Sequence, residues 1–301
     1  MRRILFSLLL GLAAGAGSLA ATAPADTEIV RAVEKWRGER VGRLTAPDGW
    51  LSLIGLHFLQ PGPNRVGSAA DNDIVLAKGP ARLGTATFAA DGQITLELAA
   101  GAAATYEDAP FTKTVLRPEQ GTTPGALVKF GTVSLYALER GGKMALRVKD
   151  SASPRLTGFL GIDYFPIDPR WVLAATWVPY EKARFVPYTN SRGQPDRALV
   201  PGKAVFTYQG QTYEIEPHDD GPGTRPYFVL SDTTSGTETY GAARFLYIDR
   251  PAGGPLVLDF NRMQNPPCAF TPFAACPLPA KGNRLPFPVR AGEKRYRGEE
   301  H

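Results

Sequence analysis

Two carboxylates, two amides and a guanidinium gather towards the C-terminal end of this 301-residue chain: Asp259, Glu293, Asn261, Asn265 and Arg244. Asp259 or Glu293 can serve as general acid or base if a pocket pushes their pKa values apart. Arg244 and Asn261 can orient an anionic or carbonyl group, and Asn265 can donate a hydrogen bond. Asp259 and Asn261 stand two residues apart. On a strand they share one face, and Phe260 points the other way, into the core. Such a set fits a hydrolase or a polar-ligand site. It also fits buried polar groups that satisfy one another, as buried polar groups must.

The stretch between them, DFNRMQNPPCAFTPFAACPLPAKGNRL, holds both cysteines, Cys268 and Cys276. In an exported protein two cysteines invite a disulfide, and a loop this short would gain about 2–3 kcal/mol from it. Pro266, Pro267, Pro272, Pro277 and Pro279 fix backbone angles in the same loop. The expected staple either holds a structural loop or presents a site on it.

Other chemistries find few residues to use. The chain has three histidines, His57, His218 and His301, and none lies near the cysteines in sequence. No metal site is therefore expected, and no cofactor, because phosphate-loop and dinucleotide patterns are absent. DTTSG at 232–236 has the wrong spacing for an aspartic-protease loop and has no second copy. A Ser-His-Asp triad could draw only on His57 or on His218 in PHDDGPG, and no GxSxG elbow supports it.

The elements that must position these residues follow a leader. MRRILFSLLLGLAAGAGSLAATA has a basic start, an apolar run and the small-residue ending Ser18-Leu19-Ala20, so residues 1–20 read as a signal peptide. A periplasmic or secreted location follows, with no membrane span after signal removal. The formal net charge of +5 falls to about +3 without Arg2 and Arg3, and the rest is spread along the chain. A nucleic-acid partner, which wants a clustered basic face, is not expected. The partner is an unidentified small molecule or an envelope protein.

Residues 26–45 have helical spacing, with Asp26 as cap and Ile29, Val33 and Trp36 on one face. After that, short alternating runs and turn pairs predict β structure. Asp91-Gly92, Gly141-Gly142 and Gln209-Gly210 mark three hairpins. The fold class is all-β: an N-terminal helix, a β sandwich over 46–151, and a second β-rich domain over 152–297 carrying the cysteine loop. A single large sandwich is the alternative.

Two resemblances add to this. PNRVGSAADNDIVL at 63–76 resembles the start of forkhead-associated sandwiches, which bind phosphothreonine. Ser68 stands where those domains place a phosphate-binding arginine, and their later Ser-x-x-His segment is missing from RLGTATF. The resemblance therefore implies the sandwich without the phosphate site. GWLSLIGLHFLQPGPNRVGS, ALRVKDSASP, FVLSDTTSGTETY, ARFLYID, DFNRMQNPPCAF, CPLP, NRL and AGEK occur in that order between about residues 28 and 296. This series resembles the bacterial domain-of-unknown-function family 1684. Met263-Gln264 stand where the family usually has Ala-Tyr, and Ala243 where it usually has Gly. The resemblance implies no activity. The leading expectation is a small-molecule-binding or structural module of the cell envelope, with a hydrolase built on the C-terminal loop as the alternative.

Overall fold

The computed structural model describes residues 26–298 apart from Gly141 and Pro222. The leader expected over residues 1–20 lies outside the described residues. The chain is mostly β, as its turn-rich sequence predicts.

Helix α1 spans Asp26–Thr45 and buries Ile29, Val33, Arg40 and Leu44 along one face. Steps of four and seven residues keep these side chains in register. Asp26 and Glu28 in the first turn and Arg43 in the last complement the helix dipole. Trp36 is half-buried and meets the Tyr164 ring edge-on at 6.4 Å.

Short strands follow. They are β1 (Leu53–Phe58), β2 (Gly62–Gly67), β3 (Ile74–Val75), β4 (Gly84–Phe88), β5 (Ile94–Leu98) and β6 (Thr105–Tyr106). Then come β7 (Ala109–Pro110), β8 (Lys113–Val115), β9 (Val128–Phe130), β10 (Val133–Arg140) and β11 (Lys143–Asp150). One sheet runs β1-β11-β10-β9-β6-β7 and another β3-β2-β4-β5-β8. Val66, Ile74 and Leu96 from one sheet share a core with Leu135, Leu146 and Val148 from the other, so the two form a sandwich. The alternation in β10 and β11 puts Tyr136 and Arg147 on the outer face, directly opposite each other.

The second half contains β12 (Val172–Thr189), β13 (Pro195–Tyr208), β14 (Gln211–Ile215), β15 (Pro217–His218), β16 (Tyr227–Leu230), β17 (Arg244–Tyr247) and β18 (Gly254–Asp259). They form the sheets β14-β13-β12-β18 and β15-β16-β17. Trp177, Phe206, Ile215, Phe228, Leu246 and Phe260 make their common core. Leu44 of α1 and Leu51 pack on Ala269 and Phe270, which ties the helix to the cysteine loop.

Two of the three hairpin signals hold, and at the third Arg140 pairs with Lys143 while Gly141 lies outside the described residues. Phe88 pairs with Ile94 around Asp91-Gly92, and Gly92 takes φ +87°. Tyr208 pairs with Gln211, with positive φ at both Gln209 and Gly210, the two-residue turn that suits strand twist. One local expectation fails. The strand ends at Asp259, and Phe260–Arg262 form a 3-10 turn. The Asp259 carboxylate accepts the backbone N–H of Asn261 at 3.1 Å, which draws the chain into the turn. Phe260 still enters the core.

Candidate functional site

The five residues singled out in the sequence are placed in the wall of the protein. Arg244 is 1% exposed. It donates to Asp232 Oδ2 at 2.8 Å and to the carbonyls of Val289, Ala291 and Glu293. Glu293 is fully buried: its Oε1 accepts from Arg40 Nε at 2.8 Å and its Oε2 accepts from the Asn265 N–H at 2.7 Å. Asn265 donates its amide to the Lys294 carbonyl. Asn261 exchanges hydrogen bonds with the backbone of Asp168 and donates to Asp259. Asp259 also pairs with Arg262 at 2.9 Å. Asn265 and Glu293 meet each other, as do Asp259 and Asn261. Arg244 reaches only the backbone of Glu293, and no common pocket joins the five.

The two cysteines of the expected staple are buried side by side as thiols. Each sulfur accepts a hydrogen bond. Cys276 Sγ accepts the Cys268 N–H at 3.2 Å, and Cys268 Sγ accepts the Tyr240 hydroxyl at 3.6 Å. The hydrogen bond from Cys276 brings the Cys268 thiol down to about 7, with burial opposing it.

Among the described residues neither internal histidine hydrogen-bonds a serine, threonine or cysteine. His57 Nε2 is buried without a partner, and burial lowers its pKa. His218 lies between the rings of Tyr188 and Tyr227, at 5.0 and 5.6 Å. Burial holds it down at about 4, against the pull of Asp196. The unfolded chain, with an ordinary value near 6.5, takes up this proton more readily. His218 therefore leaves stability intact above pH 6.5 and removes about 3 kcal/mol as pH falls from about 6.5 to 4. Urea unfolding at both pH values should show a smaller acid loss in His218→Phe, and equal losses in the two proteins would contradict it. Among the described residues no three His, Cys, Asp or Glu side chains converge as metal ligands.

The large cavity lies elsewhere. It has a volume of about 930 Å³ and is closed by three parts of the chain. Helix α1 and the turn after it supply Trp36, Glu39, Arg40, Arg43, Asp48 and Trp50. The outer face of the sandwich supplies Glu119, Tyr136, Arg140, Arg147 and Lys149. The second half supplies Arg225, Tyr247, Arg262 and Gln264. Seven cations thus face three carboxylates, with four aromatic rings between them. Arg40, Arg225 and Arg262 are already paired, with Glu293, Asp249 and Asp259. Burial raises the Tyr136 phenol above its ordinary value, with Arg147 opposing it, so its hydroxyl stays neutral near pH 7. Burial lowers Lys149, with Asp48 opposing. Tyr247 is pushed up to about 12, first by burial.

Sequence reasoning missed this group because its members lie far apart along the chain. One signal was available: in ALRVKD, Arg147 and Lys149 alternate with Leu146 and Val148, so both cations share the face away from the core.

No curated protein matches the chain. A solution NMR structure of the uncharacterized protein from gene locus rrnAC0354 of Haloarcula marismortui is 27% identical, covering 46% of this chain and 78% of that chain, with a TM-score of 0.40. The cysteine loop, the Arg244 network and the second-half wall of the cavity all fall within residues 157–294, and this is the segment that matches the family described as Protein of unknown function (DUF1684).

Proposed function

We propose that the protein is a small-molecule-binding module of the bacterial cell envelope, exported by the leader over residues 1–20, and that it takes its ligand in the 930 Å³ cavity. The observation that carries this reading is the contrast between two polar groups. The C-terminal residues mainly bond one another and the backbone in the wall, whereas the cavity gathers Arg147, Arg140 and Lys149 beside open space. The volume lies in the range of small-molecule sites, and the lining, richer in charge than is usual for them, favours a charged ligand. The sandwich over 46–151 is taken as a forkhead-associated-like scaffold. The Ser68 hydroxyl donates to the Gly79 carbonyl there, consistent with a lost phosphate site. The hydrolase reading loses its motivation, since Asp259 and Glu293 are engaged in holding the wall.

A thermal-shift screen of the chain without residues 1–20 tests the proposal. A ligand at 100 times its Kd adds about 2.7 kcal/mol of stability. Hits are expected to lose their effect in Ala46→Trp, which fills the cavity from the turn after α1. Hits that stabilise that variant equally would place the ligand elsewhere and overturn the reading.

A further inference from the structure

One arginine in the cavity is built differently from the others. Arg147 is 5% exposed, at the centre of a strand. Among the described residues no carboxylate oxygen lies within 4.0 Å of its nitrogens. Nη1 donates to the Tyr136 hydroxyl at 3.1 Å, and Nε is buried with no hydrogen-bond partner. A buried guanidinium in a folded protein is ordinarily paired and fully hydrogen-bonded, because an uncompensated buried charge is costly. Arg244 and Arg40 in the same protein each have a carboxylate, Asp232 and Glu293, to balance the charge, although Arg244 Nε too lacks a hydrogen-bond partner. Arg147 has no such carboxylate.

The immediate neighbours do not cancel its charge. Tyr136 is a neutral phenol. The rings of Trp50 and Tyr136, at 5.4 and 5.9 Å from the guanidinium carbon, attract a cation but carry no net charge. Lys149 adds a second positive charge on the same face. Its ammonium donates to the Asp48 carbonyl at 2.7 Å, so a neutral group takes that bond too. Glu119 interacts with the Tyr136 phenol and, among the described residues, forms no ion pair with Arg147. Arg140 lines the same space and, among the described residues, has no ion pair.

We infer that the cavity takes an organic oxyanion whose carboxylate or phosphate group seats on Arg147 beside Lys149. The planar guanidinium has free N–H groups suited to two oxygens of one acid group. The cavity is far larger than one such group needs, so the rest of the ligand extends along the Trp50 and Tyr247 side. This inference rests on the binding reading above and gives that reading a ligand class.

Calorimetric titration at low salt with citrate and with inorganic pyrophosphate tests it, and the probe that binds assigns the acid as carboxylate or phosphate. Saturable binding is expected, weakened at least tenfold in Arg147→Met. Without a probe, Arg147→Met is expected to melt at or above the temperature of the native chain, since it removes an unpaired buried charge. Arg147→Lys keeps the charge and the fold but loses the fork, and should bind three- to tenfold more weakly. If Arg147→Met does not fold, the Arg147→Lys result decides. Unchanged affinity in the variant that folds overturns the inference. Neutral hits that Ala46→Trp abolishes, with neither anion bound, would sink the oxyanion alone. No ligand of either kind would sink the binding reading with it.

Discussion

Replacing Glu293 by alanine is expected to lower stability by about 3–5 kcal/mol, the cost of leaving a buried charge without its partner. The carboxylate is fully buried, with one oxygen on Arg40 and the other on the Asn265 N–H. Arg40 is itself 5% exposed, donates to the Asn265 carbonyl and sits over the Phe270 ring. Removing the carboxylate strands that guanidinium and orphans an amide at once. The pair also fastens α1, which forms one wall of the cavity, to the second half of the chain. Glu293→Gln keeps an acceptor and loses only the charge, so its loss should be smaller. Urea unfolding measures both. A catalytic carboxylate behaves in the opposite way, because its removal commonly leaves stability unchanged or raised. An unchanged midpoint in Glu293→Ala would therefore restore the hydrolase reading.

The Arg244–Asp232 pair carries the second large effect. Arg244 bonds three carbonyls as well as Asp232, and Asp232 Oδ1 accepts from the N–H and hydroxyl of Thr234 and from the Val289 N–H. Arg244→Met leaves a buried carboxylate without its cation, and Asp232→Leu leaves a buried guanidinium without its direct partner, with only the more distant Glu293 to oppose its charge. Each single variant should cost about 3–5 kcal/mol. The double variant removes both charges together, so its loss should fall clearly short of the sum of the two. The backbone groups they serve would still lack partners, so it should remain less stable than the native chain. Strict additivity in the cycle would show that the two side chains do not act as a pair.

Both pairs were half visible in the sequence. Arg40 falls on the buried stripe of α1, seven residues after Val33 and four before Leu44, which is an unusual place for a charge. Its partner lies 253 residues away, and no local pattern reports that. Asp232 was set aside because DTTSG fails as a protease loop, and its role in capping Thr234 becomes visible only once Val289 and Arg244 are brought beside it. The elements themselves were legible, because a helix stripe and an Asp-Gly or Gln-Gly turn are set by neighbours a few residues apart. The cysteine loop was legible as a constrained segment, but not in its chemistry. Proximity of two thiols in the sequence does not decide whether they bond, and the contact of Cys276 Sγ with the Cys268 N–H comes from the folded loop. The cavity was the least legible part. It is assembled from α1, the outer face of β10 and β11 with the loop before them, and residues between Arg225 and Gln264, so its lining has no sequence spacing of its own.

The most direct test of the central claim watches the Arg147 guanidinium itself. The Nε–H resonance of Arg147, assigned in 15N-labelled protein through Arg147→Lys, can be followed as citrate or pyrophosphate is added. The account predicts a saturable shift of that resonance with at least one of the two anions, while Arg244, bonded within the wall, stays in place. If Arg147 does not move under either anion, or moves no more than the exposed Arg170, the cavity does not hold an oxyanion on this residue.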